Sequence, residues 1–189
     1  GFPGPMIWVG NTGKVYRLDG YSPTPISSPQ LERLIAQVTD RTTLKACVYM
    51  AAGHAFWSLS SPDWTWVYDL STEQWHERAT YGLSYWLGPF TINAFDEWLA
   101  FTSTGGGVFR VNERVRREGT LPLVGEIWST QQHGFPARTA VTRASFDFIV
   151  GVGNDRGIDP IETNPQVSIS WSDDGGVTFG NPLLRSLGT

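Results

Sequence analysis

Most of this chain consists of strand-like runs a few residues long, each ended by a cluster of Gly, Pro, Asn or Asp. Runs this short and this regularly punctuated read as strands joined by turns. Met6 to Val9 and Lys14 to Leu18 flank Asn11-Thr12-Gly13, a hairpin with Gly where a positive φ is needed. Asp19-Gly20 closes the second strand, and the Pro-rich connection from Ser22 to Pro29 excludes a central strand there. Further strands are expected over Thr43 to Ala51, Ala55 to Leu59, Trp64 to Leu70, the segment around Trp75, Trp98 to Thr102 and Val108 to Val111. Gly125 to Thr130, Arg143 to Gly151 and Gln166 to Trp171 complete the set. Gly53-His54 and Ser103 to Gly107 are the expected turns of two hairpins.

One segment departs from this pattern. Ser28 stands at an N-cap position and Pro29 at the first helical position, followed by Leu31, Leu34, Ile35 and Val38 at i, i+3, i+4 and i+7. That spacing predicts one short helix, packing its apolar stripe over a sheet.

Composition narrows the class. The 21 Gly and 12 Pro among 189 residues, 13% aromatic side chains and only 17% charged ones suit an all-β chain with a large aromatic core. No apolar run reaches the roughly 18 residues of a membrane span, and the start lacks the basic and apolar regions of a secretory leader. A net charge of -4 argues against a broad nucleic-acid footprint. Lys14 and Lys45 are the only lysines among 14 basic residues, so cationic contacts fall to Arg, which pairs bidentately and stacks. Cys47, the single cysteine, lies in an apolar run and reads as a small core hydrophobe. The first residue is Gly and the last follows a strand-like block, from which the chain is expected to be a fragment of something longer.

Several strands group into blocks of roughly 35 to 45 residues, the period of four-stranded propeller blades. The expected fold is therefore all-β and β-propeller-like, partial or a fragment, as one domain over residues 1–189. Ser172-Asp-Asp-Gly-Gly-Val-Thr-Phe179 is similar to the Asp-box, S-x-D-x-G-x-T-W. In such a hairpin Asp174 accepts turn N–H groups, Gly176 permits positive φ, Ser172 and Thr178 complete the turn, and Phe179 packs inside the blade. Trp66 to Trp75 resembles a kelch-type strand, Asp-led turn and strand, with Asp69 bonding its turn and Trp66, Tyr68 and Trp75 as core.

Chemistry-bearing patterns are sparse. His54, His76 and His133 lack metal-ligand spacing, no nucleophile elbow or phosphate loop is present, and no catalytic residue, metal or cofactor is expected. Arg110, Arg114, Arg116 and Arg117 form the densest basic stretch and the candidate interface. On a strand, Arg114 and Arg116 would share one face and Arg117 the other.

Several blocks recur in a characteristic order: GKVYRLDGYSPTPIS, the helix with Leu31-Glu32, Gly53-His54 before an aromatic strand, TWVYDLSTEQWHER, and QVSISWSDDGG with RSLG. Taken together they resemble the packaged-DNA stabilisation proteins, the tail hub or tail accessory factors of P22-like short-tailed phages. The resemblance implies a virion component, made in the bacterial cytoplasm before assembly. It would form a homo-oligomeric ring, such as a hexamer, against the portal-adaptor and tail needle proteins, with at most transient contact with DNA. Such a ring would close the portal channel, retain packaged DNA and permit its ejection. Family members continue after RSLG with further β segments. Two other readings stand beside this one: a non-catalytic propeller module binding carbohydrate or protein, and a sialidase-like glycan hydrolase suggested by the Asp-box and abundant Trp.

Overall fold

The computed structural model describes residues 4–112, 115–131, 140–153 and 158–188. The chain divides into two compact units, residues 1–121 and 122–189, where the sequence predicts one domain over residues 1–189. The fold is mostly β: the described residues hold fourteen strands in five small sheets, and two α-helices.

In the first unit β1 (Ile7–Val9), β2 (Val15–Asp19) and β3 (Ser22–Pro25) form an antiparallel sheet in that order. The Pro-rich connection thus contains a strand after all, and it is an edge strand, where a missing N–H breaks no ladder. Helix α1 (Pro29–Gln37) starts where the Ser-Pro pair predicts, with Ser28 Oγ accepting the Leu31 N–H at 3.2 Å. Its Leu31 and Ile35 are fully buried.

The central sheet is a four-stranded antiparallel meander of β4 (Lys45–Ala51), β5 (His54–Ser60), β6 (Thr65–Asp69) and β7 (Gln74–Glu77). Ala52 and Gly53, both at positive φ, make the turn between β4 and β5, so His54 begins a strand instead of belonging to the turn. Period-two alternation divides the residues of this sheet between its faces. One face carries Trp57, Leu59, Trp66 and Tyr68, which pack with Val15, Leu31 and Ile35. The other carries Tyr49 and Val67, which pack with Trp86 and Ala100.

Ala100 belongs to a third antiparallel sheet, β8 (Phe90–Ala94), β9 (Glu97–Phe101) and β10 (Val108–Arg110). Strand β8 is not among the strands expected from the sequence. Its tight turn to β9 is Phe95-Asp96, both at positive φ, without the Gly or Asn that marks such turns. Two-residue strands β11 (Arg117–Glu118) and β12 (Leu121–Pro122) follow.

The second unit contains the one-turn helix α2 (Pro160–Thr163), and β13 (Gln166–Ile169) paired with β14 (Leu183–Ser186). Helix α2 repeats the start signal of α1, with Asp159 as N-cap and Pro160 first. The strands expected over Gly125 to Thr130 and Arg143 to Gly151 are not formed: their described residues are irregular. A strand needs a ladder partner, and β propensity alone does not provide one. Ile127, Trp128, Phe146, Ile149 and Val150 are exposed accordingly.

Candidate functional site

The concentration of polar side chains lies on the second face of the central sheet. Lys45, Cys47 and Tyr49 of β4 stand opposite Ser60, Ser58 and Phe56 of β5, and Ser60, Ser58 and Phe56 stand opposite Thr65, Val67 and Asp69 of β6. Alternation along HAFWSLS would place His54, Ser58 and Ser60 toward solvent. Instead Ser58, Ser60 and Thr65 are at most 3% exposed, because Trp86 and Ala100 cover this face.

Each buried polar group there is held by another. Thr65 Oγ1 accepts the Trp86 N–H at 3.1 Å and donates to Ser60 Oγ at 3.0 Å. Cys47 Sγ and Ser58 Oγ are 3.0 Å apart. Burial pushes the Cys47 thiol above its ordinary pKa, which keeps it protonated and a poor nucleophile. His54 Nδ1 meets Asp69 Oδ2 at 2.7 Å. Asp69 also accepts the Ser71 N–H at 2.8 Å and the Thr72 hydroxyl at 2.9 Å. Burial raises the Asp69 pKa, but these hydrogen bonds outweigh it and hold the carboxyl below its usual value. The His54–Asp69 pair therefore clamps the turn that follows β6.

Arg78 is set among aromatic rings. Its guanidinium lies 4.1 Å from the Trp86 ring centroid, and Nη1 donates to Tyr49 Oη at 2.7 Å. Trp86 Nε1 in turn donates to Glu118 Oε1 at 2.5 Å. Nothing in the sequence announces this cluster, since its members are separated along the chain and meet only through sheet packing.

The Asp-box residues form a closed turn in the second unit. Asp174 Oδ1 accepts the N–H groups of Val177 at 3.0 Å and Thr178 at 2.8 Å, and Oδ2 accepts the Thr178 hydroxyl at 2.5 Å. Ser172 Oγ donates to Asp174 Oδ1 and accepts the Gly176 N–H, at 2.7 and 2.8 Å. The Thr178 hydroxyl, then its N–H and Ser172, hold the Asp174 carboxyl well below the usual range. Gly175 and Gly176 both have positive φ. Phe179, expected to pack inside a blade, is instead 45% exposed and meets the exposed Trp128 ring edge-on at 5.1 Å, because no described strand runs through this segment to bury it. Every acceptor position of Asp174 in this network serves the turn.

The arginine stretch is not one strand. Strand β10 ends at Arg110, although the Val111 N–H still donates to Trp98 O of β9, and β11 begins only at Arg117. Arg116 sits in a bend between them, and Arg114 lies outside the described residues, as does His133. Arg110 Nη1 pairs with Glu97 across the β9–β10 ladder at 2.8 Å. Arg117 Nη1 donates to the Thr120 carbonyl of its own turn. Arg116 therefore lies on no strand face, and the face expected to be shared with Arg114 falls outside the described residues.

Among the described residues no group of three or more His, Cys, Asp or Glu could hold a metal ion. No described helix is long and apolar enough to cross a membrane. No protein-family model matches the chain, and no curated protein matches it.

Proposed function

We propose that this chain is part of a phage tail hub, a structural and non-catalytic protein built from propeller blades. It assembles as a homo-oligomeric ring on the portal-adaptor, engages the tail needle, and helps retain packaged DNA until ejection. The ordered series of sequence blocks from GKVYRLDG to QVSISWSDDGG carries this reading.

The packing supports its architectural half. In a propeller each blade is a short antiparallel meander with neighbouring blades on its two faces. The central meander β4–β7 has β1–β2 with α1 on one face and β9 with the Trp86 loop on the other. A sheet enclosed in this way must be largely apolar or internally bonded on both faces, and among the buried side-chain polar atoms of the described residues only the Trp66 indole N–H lacks a partner. The mild net acidity of the chain limits adhesion to passing DNA.

Mass photometry of the gene product that carries this chain, alone and with a portal-adaptor ring, tests the proposal. A discrete ring-sized species, or stable addition to the portal-adaptor complex, is the expected result. A monomer with no affinity for either tail component overturns it.

A further inference from the structure

Beside the central sheet of the first unit lies a cavity of about 250 Å³, bounded by Lys45 and Ser60 from adjacent strands, Ser61-Pro62 after β5, and Trp86 and Pro89 from the loop before β8. We propose that this cavity binds a small monocarboxylate with an apolar body, independently of the tail role.

The hydrogen-bond inventory is one-sided. A relay runs from the Trp86 N–H to Thr65 Oγ1, and from the Thr65 hydroxyl to Ser60 Oγ. Ser60 ends it as an acceptor, leaving its own O–H with no acceptor among the described residues. Ser61 Oγ accepts two backbone N–H groups, from Asp63 and Trp64, both at 3.1 Å, and its O–H is left over in the same way. Both serines are deeply buried, at 3% and 6% exposed. Buried hydroxyls in such chains polarise one another and favour an acceptor at the open end.

Lys45 supplies the charge. It stands directly opposite Ser60 in the ladder, so the two side chains share a face within about 5.5 Å at Cβ. Its ammonium lies 5.0 Å from the Phe90 ring centroid and forms none of the ion pairs among the described residues. Thr43, Tyr85 and Ser103 also line the cavity; one cation and the two buried O–H donors of Ser60 and Ser61 match one carboxylate, whereas a phosphate dianion would leave a negative charge uncompensated. Trp86, Pro62 and Pro89 offer the remainder of a ligand apolar walls. The volume equals roughly eight waters at about 30 Å³ each, which suits a single ring with its carboxylate.

Benzoate titrated into the full chain and followed by amide NMR is the test, with benzamide and inorganic phosphate alongside. The expected result is saturable shifts confined to residues around 45, 60–62 and 85–89, produced by benzoate and not by benzamide or phosphate. Lys45→Met, checked for an unchanged fold by circular dichroism, should weaken benzoate binding by about tenfold or more, as expected for loss of a charge-assisted hydrogen bond. Equal binding of benzamide, tighter binding of phosphate, shifts mapping elsewhere, no saturable shift, or a folded Lys45→Met that binds as before would each overturn the proposal. Should Lys45→Met fail to fold, the shift map and ligand comparison on the unaltered chain decide.

Discussion

Trp86 links three separate segments of the first unit. Its backbone N–H reaches Thr65, its indole N–H reaches Glu118, and its ring carries Arg78 on one face. Gly88 allows that placement. A Cβ at Gly88 would come within 2.7 Å of Trp86 Cζ2 and 2.8 Å of Cε2, closer than atoms in a packed core tolerate. Gly88→Ala should therefore cost about 1–3 kcal/mol by overpacking. Urea titration, with Gly82→Ala as a comparison at a glycine whose Cβ meets nothing but whose φ is positive, measures it. An unchanged midpoint in Gly88→Ala would mean that the loop moves freely away from the ring. The sequence gives Gly88 no special status, because the constraint comes from a neighbour's ring and not from its own backbone angle.

Helix α1 is the element whose sequence signal and structure agree most closely. Its start is a local matter: Ser28 caps, and Pro29 forfeits an N–H that would have had no partner. Its stripe is local as well, since spacing alone puts Leu31 and Ile35 on one side. Ser28→Ala should cost about 1 kcal/mol, and Ile35→Ala about 2–5 kcal/mol because its side chain is fully buried. Both are measured by chemical denaturation of the full chain. A loss on Ile35→Ala no greater than on Ser28→Ala would show that the helix contributes little to the core. The strands contrast with this. Strand β8 was invisible because Phe95-Asp96 takes a glycine-like turn, and the runs at Gly125 to Thr130 and Arg143 to Gly151 carry strand composition without a partner. Pairing is a property of two segments, and only one of them is in view when a run is read alone.

At the scale of the whole molecule, acid stability follows from three carboxylates. Asp40 is held below its usual pKa by the Thr42 hydroxyl and N–H, Asp69 by its turn and His54 against the opposing effect of burial, and Asp174 by Thr178 and Ser172. A carboxyl whose native pKa is depressed stabilises the fold fully above its unfolded value, about 3.9 for Asp, and loses that contribution as pH falls through the native value. Their combined contribution should be intact at neutral pH and decline below about pH 4. Denaturation midpoints across that range check the sign. Asp69→Asn should lower stability at neutral pH and flatten the acid slope, and an unchanged slope would remove Asp69 from the account. In the second unit, Asp174→Asn should speed amide exchange at Val177 and Thr178 while leaving β4–β7 as protected as before.

Turn residues, caps and alternation are short-range effects, and they were enough to specify a mostly β chain, the longer of its two described helices, the main hairpins of the first unit and the Asp-led turns at Asp69 and Asp174. Which face of the central sheet became dry was decided only by tertiary packing. Ser58, Ser60 and Thr65 are residue types common on solvated surfaces, and they are buried because Trp86 and Ala100 arrive from residues far along the chain. The same long-range packing turned Lys45 and two serine hydroxyls into the lining of one cavity. Burial depends on what stands opposite a residue in space, and alternation along a strand contains no information about that neighbour.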